Sequence, residues 1–137
     1  MSGQVILDDF AFLVSETNSK GIITFANDDF CRIAGYTIDE LIGNPHSMVR
    51  HKDMPKAAFK SLWETVQSGH VWTGYVKNAT KSGGYYWVYA TVYPFENSDG
   101  STGYLSCRRK PSIAEIEEHE ALYTELRKAK SGNLLAS

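Results

Sequence analysis

The chain has 137 residues, a length that fits one domain, and its 42% hydrophobic and 22% charged residues are typical of a globular protein. Its formal charge of −2 argues against a nucleic-acid-binding surface, and no run approaches the ~20 apolar residues that span a bilayer. Residues 1–9 lack a basic region followed by an apolar one, and two cysteines are too few for a disulfide scaffold, so we expect a soluble, cytoplasmic protein.

The first third of the chain predicts a hairpin followed by short helices. Two β-rich runs, at residues 11–17 and 21–26, are separated by a turn sequence. Asn27 and Thr37 each offer an N-cap in front of a short helix. Residues 44–52 have little periodicity and predict a loop or a single turn.

The middle of the chain predicts one longer helix and three strands. Apolar residues at three- and four-residue spacing indicate a helix from about residue 54 to 68, with Asp53 as its N-cap. Strands are predicted at residues 71–80, 85–96 and 103–110. This order predicts an α+β fold, a five-stranded antiparallel sheet with short helices on one face.

A last helix is predicted at residues 112–130, with acidic residues in its early turns and basic residues at its end. Its narrow apolar stripe contains Ile113, Ile116, Tyr123 and Leu126. The stripe either packs on its own domain or forms a helical connector or dimer contact. The predicted organisation is therefore an N-terminal tail at 1–8, a domain at 9–111, this helix, and a tail at 131–137.

Signatures of catalysis are missing. The sequence has no phosphate-binding glycine-rich loop and no nucleophile elbow, and its four histidines lack metal-ligand spacing. No two carboxylates stand together in an apolar context, as acid–base chemistry would need. We therefore expect a binding site rather than an enzyme active site.

Aromatic residues indicate what such a site would bind. They make up 12% of the chain, and six of the eight tyrosines lie between Tyr75 and Tyr104. Alternation places Trp72, Gly74 and Asn78 on one strand face, where the missing Cβ of Gly74 lets a flat ring approach the backbone. An aromatic wall with amide groups suits a planar heterocycle, and the nearby cationic residues at 50 and 51 suit a phosphate.

Several motifs carry a resemblance to a known family. The sequences FANDDF at 25–30, GYT at 35–37 and ELIG at 40–43 are similar to the first half of a PAS domain. The sequence NPHSMVRH at 44–51, with DMP at 53–55, WTG at 72–74 and VKN at 76–78, resembles the PAS domain of bacterial aerotaxis receptors more narrowly. The similarity extends from about Asp9 to Leu126. One departure is Lys52, where the family usually has proline.

The resemblance implies a five-stranded PAS fold that holds FAD without a covalent bond and signals its redox state. The expected recipient is a downstream signalling domain or a separate chemotaxis-type signalling protein. The residues that match the family's FAD-associated positions, with Tyr86 added as a neighbouring aromatic, are Arg50, His51, Asp53, Trp72, Asn78, Asn27 and Tyr86. Asn27 and Asp53 are also interpretable as helix caps, and Trp63 is assigned to the core. Asn78 is hypothesised to reorient its amide with the redox state of the bound flavin and to pass that change through the sheet or the last helix.

The sequence leaves three other functions open. A haem-binding PAS sensor would use a histidine such as His51 as its axial ligand. A cofactor-free PAS domain would dimerise or bind a partner through its sheet or its last helix. The third is a flavin oxidoreductase, for which the sequence offers no acid–base pair. A light sensor with a cysteine adduct is disfavoured because residues 44–51 contain no cysteine. Because aerotaxis receptors continue into a membrane anchor, the chain is expected to be a fragment or a small free-standing relative.

Overall fold

The structure, a computed structural model, describes residues 3–131 and contains a single antiparallel sheet within them. Its strands are β1 (Phe12–Asn18), β2 (Ile23–Ala26), β3 (Trp72–Ala79), β4 (Tyr85–Glu96) and β5 (Thr102–Arg109). The spatial order is β2-β1-β5-β4-β3, so the two chain halves meet where β1 pairs with β5. The predicted α+β fold with a five-stranded antiparallel sheet is confirmed.

Along the chain, four helical segments lie between β2 and β3. They are α1 (Asp28–Ala34), α2 (Ile38–Leu41), a 3-10 turn (His46–Val49) and α3 (Lys56–Gln67). The predicted N-cap role of Asp53 is wrong, because α3 begins after Pro55, whose extended backbone occupies the N-cap position. Proline is tolerated there because the first turn of a helix has no use for its missing N–H.

The two faces of the sheet contact different helices. Val76 and Asn78 of β3 point toward α3, whereas the alternating residues Tyr75 and Lys77 point to the opposite, outer face. The last helix, α4 (Ile113–Ser131), packs on that outer face, where Tyr123 donates a hydrogen bond of 2.6 Å to the carbonyl of Tyr75.

Most of the apolar stripe of α4 packs on its own domain. Tyr123 is buried, and Ile116 and Leu126 are partly buried against the core. Ile113 is the exception and is 75% exposed. None of the helices within residues 3–131 is both long and apolar enough to cross a bilayer.

The segment before β1 is also attached to the domain. Gln4 forms a bridge with Tyr85 at the start of β4, and Leu7 is buried in the core. These residues fall in the range predicted as an N-terminal tail. The tail predicted at 131–137 lies, apart from Ser131, outside the described residues.

Gly74 in β3 is a place where the missing side chain is required. A Cβ atom built there would lie 2.4 Å from Cη2 of Trp72, because the indole folds back over the glycine. The same indole donates from Nε1 to Oγ of Ser61, 3.3 Å away on α3. The flat ring that approaches the backbone at Gly74 is therefore the protein's own, and it ties α3 to the sheet.

We expect Gly74→Ala to lower the free energy of unfolding by about 1–3 kcal/mol, since Trp72 must leave its position to admit the methyl group. Chemical denaturation would measure the loss. Gly3→Ala is the matched control because nothing lies within 4 Å of a Cβ at Gly3. Equal stability of the two variants would contradict the assigned packing of Trp72.

Candidate cofactor-binding site

A cavity of about 460 Å³ lies between the inner face of the sheet and α3. Its sheet wall is formed by Val76, Asn78, Ala90, Val92, Tyr104 and Ser106. The helical wall opposite is formed by Phe59, Leu62, Trp63 and Gln67. The volume falls in the range of roughly 300–1,000 Å³ that small-molecule and cofactor sites occupy.

The lining of this cavity is cationic although the chain as a whole is slightly acidic. Lys20, Arg50 and Arg108 all line it, and no carboxylate of residues 3–131 does. Lys20 and Arg50 are exposed at the protein surface, whereas Arg108 is only 2% exposed. A site with this charge distribution favours an anionic ligand whose charge lies toward the surface.

Arg108 of β5 is the most unusual residue of the site. Its Nη1 donates to Oγ of Ser106 at 2.6 Å and to Oγ of Ser15 at 3.0 Å, while its guanidinium lies 4.5 Å from the ring centroid of Phe30. Its Nε and Nη2 are buried and have no hydrogen-bond partner in the described part of the chain. Burial lowers the pKa of Arg108 to about 10, which still leaves it charged at neutral pH.

His46, in the 3-10 turn, completes the network around Arg108. Its Nε2 lies 3.0 Å from Oγ of Ser15 and 3.3 Å from Nη1 of Arg108. Because arginine can only donate, this nitrogen must accept, and the imidazole is neutral. Burial, followed by the charge of Arg108, lowers the pKa of His46 to about 3.

Two of the predicted site residues come together at the cavity. Arg50 and Asn78 both line it, and their backbones form an isolated antiparallel bridge. The guanidinium of Arg50 lies 3.6 Å from the ring centroid of Phe59, which fixes its direction. The side chain of Asn78 is buried, and its Nδ2 donates to the hydroxyl of Tyr86 at 3.5 Å.

His51 and Asp53 lie away from this lining. The ring of His51 makes an edge contact with Tyr85, and its Nδ1 accepts from the backbone N–H of Asp53 at 3.0 Å. The carboxylate of Asp53 is paired with Lys77, 3.0 Å away on the outer side of β3. Both residues therefore shape the segment that carries Arg50.

The other three predicted residues have structural contacts. Trp72 is folded over Gly74, and Tyr86 is fully buried next to Asn78 rather than lining the cavity. Asn27 caps α1 by accepting from the N–H of Phe30 at 3.0 Å. Its Oδ1 also accepts from the N–H of Val14 at 3.0 Å, and its Nδ2 donates to the carbonyl of Phe12 at 2.8 Å. Asn27 thus joins α1 to β1.

A protein-family profile described as the PAS fold matches residues 23–108, which is more than half of the chain. The chain belongs to the PAS family. This PAS domain is 46% identical over 120 residues to the aerotaxis receptor of Escherichia coli, covering 88% of this chain and 24% of that protein. The predicted resemblance to aerotaxis-receptor PAS domains is confirmed.

A second curated relative has lower identity to this chain. The nitrogen fixation regulatory protein of Klebsiella pneumoniae is 25% identical over 134 residues, which cover 96% of this chain and 27% of that protein. The chain thus spans about a quarter of the length of these two curated relatives. Among solved structures, the light-state LOV domain of the blue-light photoreceptor Aureochrome1 superimposes with a TM-score of 0.68 at 17% identity. That match covers 85% of this chain and 91% of the LOV chain, and it shows the same fold.

Most lining residues of the PAS domain were not among the predicted site residues, and the polar or aromatic ones include Lys20, His46, Trp63 and Arg108. Trp63 was assigned to the core, but it lines the cavity with its ring centroid 5.3 Å from that of Tyr104. Alternation along β5 places Tyr104, Ser106 and Arg108 on one face, which is a usable signal once that face is known to be the inner one.

The pKa of His46 predicts a loss of stability in acid. Its folded-state pKa is about 3 and its ordinary value 6.5, so between these pH values the unfolded chain binds a proton that the folded chain does not. Stability should therefore fall as pH decreases from 6.5 toward 3. We expect His46→Gln to reduce that fall by about 1.4 kcal/mol or more, the equivalent of one pKa unit.

Denaturation at a series of pH values would measure this effect. His70→Gln, which alters an exposed histidine, is the matched control. If the pH profile of His46→Gln followed that of the natural chain, the assignment of His46 as a buried neutral group would be wrong.

Proposed function

We propose that this chain is the sensory PAS domain of a redox- or oxygen-sensing system, that it binds FAD without a covalent bond, and that it signals the flavin's redox state to a downstream domain or a partner protein. The observation that carries the proposal is the buried Arg108, whose side chain lines a cationic cavity and whose Nε and Nη2 have no hydrogen-bond partner among the described residues. The similarity to the aerotaxis receptor supports the same conclusion.

The donor set of the cavity fits a flavin. An isoalloxazine ring presents carbonyl oxygens and ring nitrogens that accept hydrogen bonds, and Nε and Nη2 of Arg108 are two donors that lack acceptors. Trp63 and Tyr104 provide apolar walls beside them. At the surface, Arg50 and Lys20 are cations that suit the diphosphate of FAD.

Asn78 is the residue proposed to read the state of the cofactor. Bound FAD would supply a reversible redox couple and, with it, a changed pattern of hydrogen-bond donors and acceptors. The Asn78 amide carries both a donor and an acceptor, so a rotation by half a turn exchanges what it presents to the cavity. Because Asn78 belongs to β3 and bridges to Arg50, such a rotation acts on both the sheet and the segment that carries Arg50.

The structure gives less support to the alternatives. His51, the histidine suggested as a haem ligand, does not line the cavity, and Nε2 of His46 is occupied by Ser15 and Arg108. Neither Cys31 nor Cys107 lines the cavity, so the described residues offer no thiol for an adduct with a bound ring. No cluster of His, Cys, Asp or Glu side chains suited to a metal ion occurs within residues 3–131.

Reconstitution with FAD and an absorption spectrum test the proposal. We expect stoichiometric FAD to stay with the chain through gel filtration, with two flavin bands in the blue and near-ultraviolet. A protein that stays colourless would support the cofactor-free interaction domain, and an intense Soret band after haem addition would support the haem sensor.

Single substitutions test the residues. Arg108→Met should weaken FAD binding by about tenfold or more, since a hydrogen bond to a charged group contributes about 1.5–3 kcal/mol. Arg109→Met is the matched control, because the neighbouring guanidinium lies on the outer face over Tyr89. Equal FAD affinities of the two variants would contradict the role of Arg108.

FAD affinity also tests the assignment of Arg50. Arg50→Gln should weaken FAD binding relative to Lys52→Gln, since Lys52 is exposed and does not line the cavity.

Asn78→Ala should retain FAD but lose the difference in backbone amide exchange between the oxidised and the reduced protein. A retained difference would overturn the proposed role of Asn78.

A further inference from the structure

An ion-pair cluster on the outer face of the sheet joins three segments of the chain. Nζ of Lys77 in β3 lies 3.0 Å from the carboxylate of Asp53 and 3.0 Å from that of Glu120 in α4. Glu120 also accepts from Nε1 of Trp87 at 3.1 Å. The guanidinium of Arg127 in α4 donates to the backbone carbonyl of Asp53.

The segments joined by this cluster also form part of the cavity. Asn78 follows Lys77 directly and faces the cavity, and Arg50 lies three residues before Asp53 and also faces it. The backbones of Arg50 and Asn78 form a bridge, and the N–H of His51 donates to the carbonyl of Lys77 at 3.3 Å. Each of the two segments therefore presents one residue to the cavity and another to α4.

The charge balance makes Lys77 dependent on both carboxylates. Its side chain is only 9% exposed, so its ammonium group has little access to water. Burial opposes the charge, but the hydrogen bonds to Glu120 and Asp53 hold the pKa of Lys77 above its ordinary value. Removing one carboxylate leaves a poorly solvated ammonium group with one anionic partner instead of two. This loss is far more disruptive than losing a surface ion pair.

We propose that Asp53, Lys77 and Glu120 form an ionic latch, which positions the Arg50-bearing segment at the cavity and couples its position to that of α4. The proposal rests on the proposed function for its ligand, FAD. Asp53 then acts on FAD binding through Arg50, as a positioning residue. Coupling between two sites is reciprocal, so a change in α4 that loosens the latch must also weaken FAD binding, although Glu120 does not line the cavity.

Glu120→Ala and Glu125→Ala form the matched pair that tests the latch. Both remove a carboxylate from α4, and alanine preserves helix propensity. Glu125 is exposed and pairs only weakly with Lys128 on the same helix, 3.8 Å away. Amide hydrogen exchange at residues 50–54 is measured first without FAD, and FAD affinity is measured second.

We expect Glu120→Ala to accelerate exchange at residues 50–54 and to weaken FAD binding by about five- to tenfold, with neither effect in Glu125→Ala. Asp53→Asn, made from the other side of the latch, should accelerate exchange across residues 113–129. Exchange at residues 50–54 that is the same in Glu120→Ala and Glu125→Ala would overturn the latch. If the natural chain bound no FAD, the proposed function would fail, whereas the exchange comparison without FAD would still decide for or against the latch.

Discussion

The guanidinium of Arg108 is buried against the sheet, no carboxylate of residues 3–131 pairs with it, and the cavity is arranged around that charge. Burying a cation is costly unless hydrogen bonds and nearby dipoles replace its water. Ser15, Ser106 and the acceptor nitrogen of His46 replace part of it, and the ring of Phe30 covers the guanidinium. The nitrogens Nε and Nη2 are left without acceptors among the described residues, and on the proposed function a bound flavin supplies those acceptors.

The alternation of the strands divides the sheet into an inner face that lines the cavity and an outer face that contacts α4. On β3, Asn78 faces the cavity while its neighbour Lys77 binds Glu120 of α4. The aromatic excess of the chain is divided in the same way. Trp63 and Tyr104 line the cavity, whereas Trp87 and Tyr123 stack on the outer face with their ring centroids 5.8 Å apart. Because adjacent residues of one strand face opposite sides of the sheet, a structural change at the inner face needs to pass through only one strand to reach the outer face.

Periodicity and capping were enough to predict the elements, since the strands and helices are local patterns and their boundaries differ by only one or two residues. The site was harder to predict because it is assembled across the fold. Arg50 and Asn78 were predicted and lie at the cavity, but Arg108 was not, since only the pairing of β1 with β5 brings it to Ser15. Asp53 was misassigned as a helix cap because its partner Lys77 is 24 residues away.

A nuclear magnetic resonance titration of arginine side chains measures whether Arg108 contacts bound FAD. The Nε–H signal of Arg108, assigned with Arg108→Lys, is followed in labelled protein as FAD is added. If Arg108 contacts the cofactor, this signal shifts with one equivalent of FAD and its exchange with water slows, while the signal of Arg109 on the outer face stays in place. An unchanged Arg108 signal in protein that has bound FAD would contradict that contact.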